Sequence, residues 1–299
     1  MERKFTLSCC STVDMPYSYV SGRDIPVLFY TYTVDGQTYD DDMGRDPTAL
    51  DRFYGFLKEG KLPQTSQLNV VNYLEFFESL LQKGGDVLHI GFSSGQSGSI
   101  HNAFLAAREL AEKYPNQRLV VIDSLCSSSG YGMLVDYAAD MRDKGKTLDE
   151  VAQWVTDNRN RVHHQFFSSD MTQFRRTGRV SGAAAAVATV LNICPIMRLD
   201  NTGSIKAYSK VRGKKKAEEE TVDAMERCAQ GGRDYDGKCF VCHSRCPEDA
   251  AALIHAVEER FPNVKGKIRL FDIGTIIGSH AGSGTVAVFF LGDERPEME

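Results

Sequence analysis

The chain has 299 residues, 42% of them hydrophobic and 25% charged, with a formal net charge of -5 at pH 7. That length suits two domains of ordinary size, with cores large enough to need neither disulfides nor metals. The negative balance argues against a general nucleic-acid binder, which requires a dominant positive field. No stretch approaches the ~18 consecutive apolar residues of an integral membrane span. Phe5 to Cys10 is too short and too polar for a signal-peptide core. Eight cysteines without framework spacing fit a reducing compartment, so a cytoplasmic protein is expected.

In chain order, Ile25 to Val34 is rich in β-branched and aromatic residues and ends in the turn signal Asp35-Gly36, so a strand is predicted. Leu50, Phe53, Tyr54 and Leu57 recur at i, i+3, i+4, i+7 and predict a helix after Asp46-Pro47. A second helix is predicted after Asn69, with Tyr73, Leu74, Phe77 and Leu81 inward. Asp86 to Phe92 is a buried-type strand, Ile100 to Tyr114 a helix, Arg118 to Asp123 a strand, and Ser129 to about Lys144 a helix. Strands alternating with helices read as βαβ units, hence a mostly parallel sheet with helices on both faces. Its strand ends point loops at one edge, where ligands bind.

A helix from Leu148 to about Asn160 links the halves, and the domain boundary is expected after residue 162, giving units 1–162 and 163–299. The second half opens with strand-like Gln165 to Phe167, a basic turn from Phe174 to Arg179, and a small-residue helix over 182–191. Strands at Pro195 to Leu199 and Ser204 to Lys210 follow, then helix Lys214 to Gln230, strand Lys238 to His243 and helix Glu248 to Arg260. Lys267 to Asp272 and Thr285 to Leu291 close the chain as strands. Hairpin-like pieces with fewer crossovers imply a mixed or antiparallel sheet in this α/β domain.

The loop Ser93-Ser94-Gly95-Gln96-Ser97-Gly98-Ser99 lies between a strand and a helix. Unpaired N–H groups at a helix start bind carboxylate or phosphate, and serine hydroxyls add donors. Ser97, beside Gly98 where backbone can approach closely, is placed to contact an anion. A helix cap needs one such residue, and this loop offers four serines. A rival reading uses the same stretch: Gly91-Phe92-Ser93-Ser94-Gly95 matches the nucleophile elbow G-x-S-x-G, with Asp123 and His280 in the order of a serine hydrolase or esterase. Against it, Gln96-Ser97-Gly98 intervenes before the helix, which an elbow starts directly after its serine.

Other groups are less specific. Thr65-Ser66-Gln67 sits in a linker before a helix and by itself reads as a capping cluster. Arg175, Arg176 and Arg179 form a compact cationic turn suited to carboxylate or phosphate, although charge runs are commonly solvated faces. His280, bracketed by Gly278 and Gly282 in a predicted loop, is poorly placed as core filler. Cys239, Cys242 and Cys246 with His243 invite a zinc or iron–sulfur reading. Residues 239 and 242 fall on opposite sides of a strand, however, and a second ligand pair is missing, so no metal is expected.

Taken in order, these pieces resemble the DegV family, which includes the FakB fatty-acid-binding proteins. Cys10-Ser11-Thr12-Val13-Asp14-Met15-Pro16 resembles the family's opening DST-x-DLP, Thr65-Ser66-Gln67 its TSQ, and Ser93 to Ser99 its SSGLSGT. Asp123-Ser124, Arg175 to Ser181, Lys210 to Gly213 with Lys215 to Ala217, and Ile277 to Gly284 resemble its DS, RGGRIS, KxRG…KA and IGxHxGPG segments. Departures are Cys10 for the opening aspartate, Leu68-Asn69 after TSQ, Ser99 for threonine and Ser283 for proline. The resemblance implies a non-enzymatic carrier without cofactor, holding a long-chain fatty acid between the two domains. A separate fatty-acid kinase would phosphorylate the bound carboxylate to an acyl phosphate. By the same resemblance Thr65 and Ser97 hold the carboxylate, with Ser93, Ser94 and Gly98 as lesser candidates. Arg179, Arg212 and His280 then lie near the ligand head or the kinase-docking face.

Overall fold

The computed structural model describes residues 5–181 and 192–297, so the helix expected over 182–191 lies outside the described residues. The chain begins with β1 (Phe5–Cys10), which the sequence reading passed over. This strand is central and buried on both faces, so its polar Thr6 and Ser8 interrupt any alternating pattern. After α1 (Tyr17–Ser21), the strand predicted over Ile25 to Val34 is two pieces, β2 (Val27–Leu28) and β3 (Thr31–Val34). They belong to different sheets: β2 pairs with β1, whereas β3 turns through Asp35-Gly36 to pair with β4 (Gln37–Asp40). Next come α2 (Ala49–Lys58), β5 (Gln64–Thr65), α3 (Val70–Leu81), β6 (Asp86–Gly91), α4 (Ser99–Lys113) and β7 (Leu119–Asp123). A capping box between Asn69 and Asn72 starts α3, which satisfies two of its unpaired N–H groups.

Strands β2, β1, β6 and β7 form an all-parallel sheet in that order. The crossovers β1 to β6 and β6 to β7 run in one direction, so right-handed connections put α3 and α4 together on one face. On the other face lie α5 (Ser128–Asp143) and α6 (Leu148–Asn158), packed on each other. The sheet's carboxyl ends bring Cys10, Gly91 and Asp123 to one edge, with Gly91 in register with Asp123.

The C-terminal half contributes β8 (Val162–Ser168), α7 (Thr172–Thr177), β9 (Val180–Ser181), β10 (Ile193–Leu199), β11 (Ile205–Arg212) and α8 (Lys214–Cys228). β12 (Phe240–His243), α9 (Pro247–Arg260), β13 (Arg269–Asp272), α10 (Thr275–Ala281) and β14 (Thr285–Leu291) complete it. Its strands form one mixed sheet, β13-β12-β14-β8-β10-β11-β9, antiparallel at the centre and parallel at both edges. The molecule is therefore a two-domain α/β protein with a parallel N-terminal sheet and a mixed C-terminal one.

Helix α5 lies where the two domains meet. It is buried over most of its length, touching β1 on one side and β8, β12 and β14 on the other. Glycines permit this double approach: a Cβ on Gly130 would stand 2.4 Å from His164 Nε2, and one on Gly132 2.6 Å from the Val13 carbonyl oxygen. Polar contacts cross the same boundary. Asp136 of α5 binds Arg23 at 2.6 Å and Lys238 at 2.5 Å.

Candidate functional site

A cavity opens between the domains, enclosing about 930 Å³ of space counted out to its solvent mouth. Its walls are mostly apolar: Phe92 from the N-terminal half, and Phe166, Phe174, Leu199, Ile276 and Phe289 from the C-terminal half. Polar groups enter from Thr65, Gln67, Gln96, Ser97, Arg179 and His280.

Thr65 is not in a linker. It belongs to β5, which pairs antiparallel with β3 and sets Thr65 opposite Tyr32. His280 is not in a loop either: it occupies the last turn of α10. The flanking glycines misled because Gly278 is a packing residue, where a Cβ would meet Phe53 and the Tyr54 hydroxyl at 2.8 Å each. The positive φ begins only at Gly282. These two elements bring His280 Nε2 to 2.9 Å from Thr65 Oγ1. Burial, then the cations Arg179 and Arg176, hold the His280 imidazole down at about 4, so it is neutral at pH 7.

The cationic turn expected over Phe174 to Arg179 is instead helix α7, closed by Gly178 in the left-handed region at φ 66°. That cap swings Arg179 to the cavity wall while leaving it largely exposed. Arg212 lies elsewhere. Ile205 at the start of β11 lines the cavity and pairs with Val180, whereas Arg212 ends the strand, exposed. At ~3.3 Å per residue the two ends are roughly 23 Å apart.

Of the serines, Ser97 lines the cavity, its Oγ accepting from Ser99 N–H at 3.3 Å. Ser93 is fully buried and committed elsewhere: its hydroxyl donates to the Gly203 carbonyl at 3.0 Å and accepts from Gly95 N–H at 3.1 Å. Ser94 N–H donates to Asp123 Oδ1 at 3.2 Å. Gly98 caps α4 against the Gln67 side chain, where a Cβ would stand 3.1 Å from Oε1. Ser93, Ser94 and Gly98 therefore shape the loop, and Ser97 is the serine of it that reaches the cavity, beside Gln96. The hydrolase triad is not assembled: Ser93 points to Gly203, Asp123 accepts from backbone, and His280 faces Thr65.

Cys239, just ahead of β12, and Cys242 within it do point to opposite sides, into separate hydrophobic cores, and Cys242 reaches the cavity wall. Among the described residues no cluster of three or more acidic, histidine or cysteine side chains could hold a metal. Residues that sequence reasoning missed include Thr12, Tyr30 and His164, all at the wall. His164 donates through Nδ1 to the Val162 carbonyl at 3.0 Å and accepts Ser127 N–H on Nε2 at 3.1 Å, which fixes its neutral tautomer. No local signal marks it, since it sits mid-strand in an otherwise buried run.

The arrangement joins an apolar chamber to hydroxyls, the neutral imidazoles of His164 and His280 and the Arg179 guanidinium, chemistry suited to an amphipathic anion. Among the described residues, no helix is long and apolar enough to cross a membrane. A family model described as "Uncharacterised protein, DegV family" matches residues 9–293. The chain is similar to a DegV domain-containing protein of Clostridium perfringens, 36% identical over 293 residues, covering 98% of this chain and 99% of that one. It is also similar to a fatty-acid-binding DegV family protein from Thermus thermophilus, with a TM-score of 0.84 at 26% identity over 97% of this chain and 99% of that one. A fatty acid binding DegV family protein from Streptococcus agalactiae, 24% identical, shares the fold at a TM-score of 0.83 over 98% of this chain and 100% of its own. With the match running nearly end to end, the chain belongs to the DegV family.

Proposed function

We propose that this protein is a carrier for one long-chain fatty acid rather than a catalyst, with the acyl tail in the interdomain cavity and the carboxylate at its polar end. The observation that carries this reading is the Thr65–His280 pair opening onto an apolar chamber. A neutral His280 Nε2–H donating to Thr65 leaves the threonine hydroxyl to donate to a carboxylate oxygen. Ser97 supplies a second hydroxyl, and Arg179 the opposing charge. Each buried CH₂ is worth about 0.8 kcal/mol, so the tail provides affinity and the polar groups orientation. The fatty-acid binding of the Thermus thermophilus relative supports the same ligand class.

The carboxylate end lies toward the exposed Arg179, and this favours hand-over to a separate fatty-acid kinase. The kinase would transfer a phosphoryl group from its nucleotide to a carboxylate oxygen, giving an acyl phosphate. In this reading of a cytoplasmic FakB-type carrier, residues 1–162 and 163–299 are the two units that close on the ligand. Arg212, remote from the cavity, belongs to the docking face instead of the head group. No cofactor is required of the carrier itself.

Solvent extraction of the purified protein followed by mass spectrometry tests the binding reading. One non-covalent fatty acid per chain is expected. Protein that is lipid-free and fails to take up added fatty acid would refute it. Incubation with a fatty-acid kinase and nucleotide, reading acyl phosphate, tests the second step.

A further inference from the structure

Three consecutive residues of the C-terminal domain, Ile273, Gly274 and Thr275, are each held by a buried side chain of the N-terminal domain. The Tyr54 hydroxyl donates to the Ile273 carbonyl at 3.0 Å. Gly274 N–H donates to Asp14 Oδ1 at 3.0 Å. Thr275 gives Asp41 Oδ1 both its N–H, at 3.2 Å, and its hydroxyl, at 2.8 Å. Both carboxylates are buried, Asp14 at 5% exposure and Asp41 at 2%. Each is anchored on its own side: Ser128 Oγ donates to Asp14 Oδ2, and Asp41 N–H donates to the Tyr30 carbonyl at 2.9 Å. Gly274 is what lets the two converge, because a Cβ there would stand 2.6 Å from Asp14 Oδ1 and 3.3 Å from Asp41 Oδ1.

Buried carboxylates without a cation are costly, and the other charges bearing on this pair, Asp42 and Asp272, are also negative. Cys242 and Tyr54 complete the titratable surroundings of Asp14. The segment they hold opens α10. Ile276, Ile277 and Ala281 of that helix line the cavity, and His280 ends on Thr65. Five residues separate Thr275 from His280, a rise of roughly 7.5 Å, so the start of the helix dictates where the imidazole stands.

We propose that Asp14 and Asp41 are positioning residues of the binding site, which grip the start of α10 and so set His280 against Thr65 across the domain boundary. This rests on the reading that the cavity takes a carboxylate ligand. Asp14, Asp41 and Thr275 do not line the cavity, so the effect of the grip passes through His280.

The test uses the full chain carrying Asp41→Leu, Asp41→Asn or Thr275→Val. Asparagine keeps an acceptor oxygen for both bonds, leucine keeps none, and valine at position 275 removes only the hydroxyl bond. Two quantities are read: the His280 imidazole titration by NMR on fatty-acid-free protein, and the affinity for palmitate. In Asp41→Leu the His280 titration is expected to move from about 4 toward the ordinary ~6.5. Palmitate affinity should fall about tenfold, equivalent to one or two lost hydrogen bonds. Thr275→Val should show a smaller change in the same direction, and Asp41→Asn should stay near the parent on both measures. Weakened binding with an unmoved His280 titration would reduce the grip to plain structural glue and overturn the proposal. Should Asp41→Leu not fold, an unmoved His280 in Thr275→Val overturns it equally. If the parent chain takes up no palmitate, the carrier reading fails, while the His280 titration still decides the positioning role.

Discussion

His280 Nε2 stands 2.9 Å from Thr65 Oγ1, so a helix of the C-terminal domain and an edge strand of the N-terminal half meet in one hydrogen bond at the cavity wall. The pair is 215 residues apart in the chain. Its partners are a neutral base and a hydroxyl, and in the proposed arrangement, with Nε2–H donating, the threonine hydroxyl donates into the cavity.

Removing that donor should loosen the carboxylate. Thr65→Ala or Ser97→Ala is expected to weaken fatty-acid affinity by about 1–3 kcal/mol where a charge-assisted bond is lost. Isothermal titration with a defined fatty acid checks this, and unchanged affinity in both variants would mean that other groups hold the head. Ser93→Ala should instead act on stability, because its hydroxyl joins the loop to Gly203.

The histidines give a pH prediction. His163 is held down at about 4, chiefly by burial. A base lowered in the folded state is protonated in the unfolded chain first, so its contribution to stability falls as pH drops from ~6.5 toward 4. Each such histidine adds a slope of up to about 1.4 kcal/mol per pH unit in that window. His163→Gln, which retains a donor for the Asp293 carbonyl, should flatten the acid limb of a urea-unfolding series relative to the parent. Parallel slopes for the two proteins would contradict it.

Interdomain packing at α5 leaves no room for a methyl group. Gly130→Ala would put a Cβ 2.4 Å from His164 Nε2 and 2.6 Å from Phe289 Cδ1. Overpacking of this kind costs about 1–3 kcal/mol, against the ~1 kcal/mol that alanine normally gains over glycine in a helix. Chemical denaturation should show net destabilisation. A more stable variant would mean that the two domains separate to accept the methyl.

Volume can be tested from the opposite wall. Ala287, buried on β14 and lining the cavity, faces space that a larger side chain would fill. Ala287→Phe is expected to fold but to retain less fatty acid, or shorter chains, on extraction. An unaltered lipid profile would place the tail elsewhere in the cavity.

Thiol reactivity separates the buried cysteines from any redox role. Burial pushes Cys10 and Cys239 up to about 12, leaving little thiolate near neutral pH. Native protein treated with iodoacetamide at pH 8 should be modified first at Cys228, which is partly exposed. Early modification of Cys239 or Cys242 would show that β12 opens readily.

The amino-acid sequence by itself determined the strand–helix alternation from Asp86 to Lys144, the helices starting after Asn69 and at Leu148, and the concentration of hydroxyls at one sheet edge. Those features depend on periodicity, caps and turn residues, which act over a few positions. It also placed Cys239 and Cys242 on opposite faces, a consequence of the two-residue period of a strand. Which serine of the loop reaches the ligand space was a tertiary matter. Ser93 and Ser97 are locally alike, and the Gly203 carbonyl, 110 residues away, draws Ser93 into the interior while Ser97 keeps to the cavity. The helical setting of His280 was equally hidden, because glycine at position 278 reads as a breaker until Phe53 and Tyr54 occupy the space a side chain would need. Arg179 and Arg212 look equivalent as basic residues in sequence; the span of β11 separates them. Side-chain direction here is set by contacts from the other domain, and local patterning carries no record of those.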